Sequence, residues 1–466
     1  MQHSRTSRRQ FVKQAALAGA GALAVPQVIP SGLLGANAPS KRLNIGMLSC
    51  GDRSRQLLGS ILGPGENIVA LCDVSTEQIS RLIKDAARHG QNGAAVEKAK
   101  VYEDYRKLLE AEKSVDAVVV APGQRWHVPM CKAALLAGKH VFCEKPLAHS
   151  VAETREIEEL GKQTKLATQI GSQGGASETF RRSMEVIQAG VLGAVREVHT
   201  WITRSFPPSA EIDRNADPIP SGLNWDFWCG PSQLLPFKRY YLGGCLAWGR
   251  WLEFGDGHLA DMGAHAHNLP WRALKLTRPI SCRCEHPEPL KDSYPSANKF
   301  CWEFPARGDL PPVTLWWHDG AKAGPPEPLA SQLAATYNRV PGDGVLFVGE
   351  KGLLFANAWG VGGTIKLTGE EKFRGVLNHE AAKSVPVTLP RAPGQDHMRE
   401  WLDACKGEGK TFQGFDTAAP ICEIAMVGIV ALRLGKPVQW DSASMKVKDA
   451  PEAEVLVHRP QRKKWL

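Results

Sequence analysis

The chain has no C-x-x-C pair and no block of Lys/Arg interleaved with aromatics. Beyond its leader, no stretch of about 18 apolar residues reads as a transmembrane helix. Each absence removes a class of protein. Without paired cysteines there is no zinc-ribbon or dithiol motif, and the 11 cysteines, an odd number, read as mostly free thiols. Cys50, Cys72 and Cys143 fall at the ends of expected core strands, where a thiol packs as a small hydrophobe, and Cys282-x-Cys284 alternates along a strand. The missing basic stripe matters because the formal net charge is +9. Four of those charges (Arg5, Arg8, Arg9 and Lys13) lie in a leader that contains no acids. The rest is too dilute to mark a nucleic-acid surface, so no nucleic-acid partner is expected.

What is present starts with length: 466 residues suffice for two domains with full cores. At 43% hydrophobic and 23% charged residues, the composition is that of a globular protein. Ser7-Arg8-Arg9-Gln10-Phe11-Val12-Lys13 precedes an Ala/Gly-rich apolar run from Ala15 to Val25 and the triplet Ala36-Asn37-Ala38. Residues 1–38 thus read as a twin-arginine signal peptide, with the twin-arginine export machinery as a partner and a periplasmic or envelope-associated destination. Pro39 opposes cleavage after Ala38, which leaves cutting after Ala36 or a retained, membrane-tethered leader.

From about Lys41 strands alternate with helices in the pattern of a parallel sheet. Leu43–Leu48, Ile68–Cys72 and Ala117–Val120 read as strands one, two and four. Ser49-Cys50-Gly51-Asp52-Arg53-Ser54 occupies the G-x-G-x-x-G slot with only its middle glycine, the one that lets backbone amides approach a pyrophosphate. Asp73, 22 residues after Gly51, stands where an acid accepts two ribose hydroxyls; its charge would repel a 2′-phosphate, so NAD is favoured over NADP. Asp73 as a plain cap for the following helix is the alternative. His140–Cys143 reads as strand five, ended by Glu144-Lys145-Pro146, which puts Lys145 at a carboxyl strand end where open α/β sheets bind ligands.

With Asp73, the Trp126-His127 loop, Glu144-Lys145-Pro146 and the run Asp261-Met262-Gly263-Ala264-His265 in this order, the chain resembles the Gfo/Idh/MocA oxidoreductases over everything past the leader. It is similar to their exported, NAD-dependent branch through Gly171-Ser172-Gln173, Trp225–Pro231 and Gly435–Trp440. The loop after strand four departs from the family pattern, reading Pro122-Gly123-Gln124. The resemblance implies an α/β fold: a Rossmann NAD-binding domain over 41–165, an α+β substrate and oligomerisation domain with an open, mostly antiparallel sheet over 166–440, and a C-terminal extension over 441–466. It implies cofactor contacts from Ser49, Gly51, Asp52, Arg53, Asp73, Gln124, His127, Glu144 and Lys145. The catalytic set would be Lys145, His265 as acid/base and Asp261 as orienter. On residues alone, Asp261 as an N-cap and His265 as a satisfied core histidine is the better reading; a metal cluster of Asp261, His265, His267 and His258 lacks a zinc-like spacing, and no metal is expected.

Nine of the 14 tryptophans fall between Trp201 and Trp317. Aromatic faces suit sugar rings and arginine suits carboxylates or hydroxyls, so Trp228, Tyr241, Arg250 and His267 are candidate contacts for a small carbohydrate substrate. Ser205 to Gly257 is a long Pro/Gly/aromatic insertion, read as a lid or substrate loop. Strands recur at 281–285, 299–304, 313–317 and 344–355, forming a sheet whose open face suits a homo-oligomer interface, and Ile421–Leu434 reads as a core helix stopped by Gly435. Three functions follow. The first is an NAD-dependent oxidoreductase on a sugar, polyol or glycoside hydroxyl, its cofactor loaded before export and kept bound. The second is a redox-neutral glycoside hydrolase or lyase using transient oxidation, and the third a non-catalytic sugar-binding protein.

Overall fold

Ile45 and Met47 point to one side of their strand and Leu48 to the other, and this alternation on two buried faces dictates a sheet covered on both sides. The computed structural model describes residues 41–286 and 288–465, so the expected leader lies outside the described residues. Six parallel strands form the first sheet: β1 (Asn44–Leu48), β2 (Asn67–Cys72), β3 (Lys100–Tyr102), β4 (Ala117–Val120), β5 (His140–Cys143) and β6 (Thr168–Ile170). Their order is β3-β2-β1-β4-β5-β6, which reverses direction between β1 and β4 and opens a crevice at the carboxyl ends there. β6 carries this sheet to Ile170, past the expected boundary at 165, because a three-residue strand leaves no periodic signal.

Helices fill the connections. α1 (Asp52–Leu62) follows β1, α2 (Thr76–Ala86) follows β2, α3 (His127–Leu136) follows β4 and α4 (Val151–Gln163) follows β5. Ser75 caps α2 by accepting from the Gln78 amide, and Ser150 caps α4 through the Glu153 amide, so sequence-local caps fix both starts. α5 (Glu178–Gln188) then leads into the second sheet.

That sheet has ten strands: β7 (Val195–Ile202), β8 (Ser281–Glu285), β9 (Asn298–Phe304), β10 (Val313–Asp319), β11 (Asp343–Gly349), β12 (Gly352–Ala356), β13 (Thr364–Leu367), β14 (Arg374–Gly375), β15 (Val438–Asp441) and β16 (Lys446–Val447). The order is β14-β13-β12-β11-β7-β10-β9-β8-β15-β16, antiparallel except for the β7–β10 pair. The open, mostly antiparallel sheet of the sequence reading is therefore present. Two details differ. The expected strand 344–355 is a hairpin, β11 and β12, turning at Glu350-Lys351. The central strand β7 escapes the sequence pattern because Arg196, Glu197, His199 and Thr200 interrupt its apolar run.

Between α5 and the end of the chain, three helices matter to the site: α6 (Gly257–Ala266), α7 (His397–Cys405) and α8 (Phe415–Leu434). α8 starts six residues before the expected Ile421 and contains Pro420, which forfeits the bond to the Asp416 carbonyl; Gly435 ends it at φ +66, as expected. It is long and apolar enough to cross a membrane, contrary to the sequence reading, yet 89% of its most apolar window is buried between α4 and the second sheet. α7 packs Met398, Trp401 and Leu402 onto the first sheet, with Trp401 5.6 Å from the Phe142 ring. Residues 441–465 are likewise integral: Arg462 donates to the Gly230 carbonyl at 2.9 Å, and Trp465 stacks on Phe227 at 4.2 Å. Leu43–Leu466 forms one unit. All 11 cysteines are free.

Candidate active site

The crevice at the carboxyl ends of β1, β4 and β5 collects the expected residues from short local turns. Gly51 precedes α1 as its N-cap with no side-chain capping bond, which leaves first-turn amides available to an anion. A Cβ on Gly51 would meet nothing nearer than the Ser49 hydroxyl at 3.7 Å, so the space over this turn is open. Ser49 itself sits at φ +112. After β2, the Asp73 carboxylate accepts from the Cys50 amide at 2.7 Å and the Ser75 amide at 2.9 Å, tying the first two strand ends together. Burial pushes its pKa up to about 6 against these bonds, which favour the charged form. An open helix N-terminus with an acid at the neighbouring strand end is the donor and acceptor set a dinucleotide requires, so the residues fit NAD.

Other expected cofactor residues are engaged with the protein. Arg53 Nε donates to Glu144 Oε1 at 2.7 Å, and Glu144 is buried so tightly that a Cβ on Gly171 would lie 2.5 Å from its carboxylate. Asp52 pairs with Arg55. Gln124 is buried and donates to Asp256, whose carboxylate also holds His149 at 2.7 Å and Tyr294 at 3.2 Å. His127 Nδ1 lies 2.6 Å from the Pro146 carbonyl, and burial holds its pKa near 4; it braces the turn that carries Lys145. Gln124 and His127 therefore shape the site from behind, a role invisible in the sequence because their partners lie far along the chain.

Lys145 and Asp261 meet directly. Lys145 Nζ stands 2.5 Å from Asp261 Oδ1 and 3.2 Å from the Asp261 carbonyl, both side chains largely buried. Burial works against the Lys145 ammonium, but Asp261 and other nearby acids outweigh it and its pKa lies above 10.5. Burial likewise opposes the Asp261 carboxylate, yet Lys145 holds it below its ordinary value. α6 begins at Gly257, where φ +65 and the Tyr294 ring 2.8 Å from any Cβ both demand glycine. The helix then sets Asp261 and His265 four residues apart on one face, as expected. Burial first, and Lys145 second, drive His265 well below 6.5, so its imidazole is neutral, with Nδ1 buried and unpaired.

The candidate substrate contacts divide. Trp228 is half-buried between Trp225, stacked at 4.6 Å, and the Arg125 guanidinium at 3.9 Å. Tyr241 is fully buried in the insertion's own aromatic cluster with Trp225, Phe237, Trp251 and Phe254. Arg250 donates to the Pro208 carbonyl at 2.8 Å. His267 is fully buried against Trp302 and Trp317 at 5.3 and 5.8 Å, its pKa pushed down to about 3. Tyr241 and His267 are thus core residues, since His267, the C-cap of α6, packs on Trp302 of β9 and Trp317 of β10. Among the described residues, no three His, Cys, Asp or Glu side chains are grouped as metal ligands would be. The insertion is no loose loop, because those rings give it a core.

Sequence reasoning missed Arg204, which leaves β7 and brings Nη1 to 3.8 Å from Asp261 Oδ2. It also undervalued His258, 4% exposed, stacked on Phe206 at 3.8 Å with both nitrogens unpaired. Finding β7 was the only route to the first; for the second, i,i+3 spacing from Asp261 was the available signal.

Strand order, the bare helix N-terminus after β1 and the acid after β2 define a Rossmann-type dinucleotide-binding domain. Residues 43–172 match the profile of the oxidoreductase family with an NAD-binding Rossmann fold, Gfo/Idh/MocA. Inositol 2-dehydrogenase of Salmonella typhimurium is 32% identical over 158 residues, 34% of this chain and 43% of that protein. A glycosyl hydrolase family 109 protein of Shewanella amazonensis is 32% identical over 163 residues, 32% of this chain and 35% of its own length. The chain thus spans less than half the length of these curated relatives. The WlbA dehydrogenase from Bordetella pertussis, solved with NADH and UDP-GlcNAcA, shares the fold at TM-score 0.57 and 14% identity, over 86% of this chain and 99% of its own.

Proposed function

We propose that the chain is an NAD-dependent oxidoreductase acting on a hydroxyl of a sugar, polyol or glycoside. The observation that carries this reading is the Lys145–Asp261 pair beside a neutral His265 at the carboxyl edge of a dinucleotide-binding sheet. A neutral imidazole can take the hydroxyl proton, and a lasting ammonium at Lys145 favours the oxygen that bears negative charge as the proton leaves. Asp261 aims the lysine and preserves its charge. NAD, when bound, supplies the hydride acceptor, with Gly51 and the first turn of α1 facing its phosphates and Asp73 its ribose. The likeness to inositol 2-dehydrogenase supports a polyol or sugar substrate.

The twin-arginine leader read from the sequence implies export of a folded protein with its cofactor bound, and therefore chemistry that regenerates the cofactor in place. A second reading follows from the glycosyl hydrolase 109 relative: transient oxidation of one sugar carbon that lets a neighbouring leaving group depart, then is reversed. The uncovered face of the second sheet, with Trp316 beneath Arg283 and Lys299 at 4.9 and 4.7 Å, would take a second copy of the chain. Incubating purified protein with a panel of polyols, aldoses and aryl glycosides tests the choice. Nicotinamide absorbance change or two-sugar exchange supports the first reading, and aryl release without net redox the second. Neither, with NAD absent from denatured protein, overturns both.

A further inference from the structure

The insertion meets the carboxyl end of β2 just beyond Asp73. Pro220 to Asn224 runs antiparallel to the end of β2 and bridges it at Ser75 and Leu223. The Thr76 amide donates to the Gly222 carbonyl at 3.0 Å, and the Asn224 amide to the Val74 carbonyl at 2.9 Å. Asn224 Nδ2 donates to Glu103 Oε1 at 3.1 Å, while its Oδ1 accepts from the Phe227 amide at 3.0 Å and starts the next helical turn. Gly222 is required: φ is +78, and a Cβ would lie 2.2 Å from Thr76 Oγ1. Beyond Asn224 the insertion is anchored again, with Trp126 Nε1 on the Phe227 carbonyl at 3.2 Å and Arg125 Nε on the Trp228 carbonyl at 3.0 Å.

Under this segment lies a cavity of about 350 Å³, walled by Asp73, Val101 and Glu103 from the first sheet and by Gly222, Leu223 and Asn224 from the insertion. Asp73 is the acid placed to meet the ribose, so the cavity is where the adenosine half of NAD belongs. Resting on the NAD reading, we propose that Gly222–Asn224 form the outer wall of the adenosine subsite, a strap that must come away before NAD can leave. The strap's hydrogen bonds run to the backbone beside Asp73 and to Glu103, so release requires breaking them. Two carboxylates, Asp73 and Glu103, border the cavity, so a 2′-phosphate would meet like charge twice.

Two substitutions loosen the strap without touching the ribose acid. Thr76→Pro removes the amide that donates to Gly222; position 76 is the first residue of α2, where proline is tolerated, and Ser75 already has the extended backbone that proline requires before it. Asn224→Asp keeps the cap on Phe227 but sets a carboxylate against Glu103. NADH dissociation from the full chain is followed by stopped flow, as loss of tryptophan-to-NADH energy transfer on mixing with excess NAD. The double variant is expected to release NADH at least about tenfold faster, the factor that losing hydrogen bonds of typical net strength produces. In the wild type, NADH is expected to slow hydrogen–deuterium exchange of residues 220–228, a readout that stands even where a variant does not fold. Unchanged release from folded variants, or unchanged exchange in the wild type, overturns the strap while NADH binding itself leaves the NAD reading in place. No NADH binding to wild type overturns both.

Discussion

At Lys145 and His265 the same burial has opposite outcomes, because only the lysine has a carboxylate to hold its charge. A base already deprotonated at neutral pH and an ammonium that persists above 10.5 predict a kcat/KM profile that is level from about pH 6.5 to about pH 10. An acid limb centred near 6.5 would assign the proton transfer to an ordinary exposed histidine instead. His265→Ala is expected to lower kcat by roughly 10²–10⁴, the usual worth of a general base, with circular dichroism unchanged. Asp73 titrates near 6, so affinity for NAD should fall as pH drops through that value and Asp73→Asn should flatten the dependence; titration calorimetry between pH 5 and 8 reads both. Lys145, Asp73, Asp261 and His265 were legible because each is announced by neighbours within a few positions. Arg204, Gln124 and His127 were not, since what they do depends on which distant carboxylate or carbonyl folding brings to them.

At the scale of elements, period and caps carried most of the first sheet: β1, β2, β4 and β5 fall within a residue of the sequence reading, because buried parallel strands are unbroken apolar runs. The second sheet was half legible. Its strand β7 hides because polar residues, His199 and Thr200 among them, are buried within it, and the β11–β12 hairpin hides because only Glu350-Lys351 separate two apolar runs. α8 depends on a charge that its apolar sequence disguises. Glu423, fully buried, accepts from Arg155 at 2.5 and 2.8 Å and lies 2.9 Å from Arg278. Removing the acid strips Arg155 of its carboxylate partner while Arg278 keeps Glu158, so Glu423→Ala should cost about 3 kcal/mol in urea unfolding, beyond the loss expected from packing alone.

Across the whole molecule, burial keeps a set of histidines neutral: His127, His199, His258 and His397 near 4, His267 and His318 near 3. Each binds its proton less readily when folded than when unfolded. Between the folded value and about 6.5 the unfolded chain therefore holds more protons, and stability falls as pH falls through that window. Asp73, Glu153 and Asp319, raised to about 6, 7 and 7, act the other way, their cost growing as pH rises from about 4 to 7. The named histidines outnumber these acids, so the melting temperature should drop steadily below about pH 6.5; a melting temperature constant down to pH 4.5 would contradict the burial described. One further consequence belongs to α7, whose Trp401 lies against β5 and donates to the Ala167 carbonyl from 234 residues away. A ribosome delivers the nucleotide-binding strands long before it delivers the helix that covers Phe142. Until then that face is bare, and the first sheet must wait for residues 397–405 before its packing is complete.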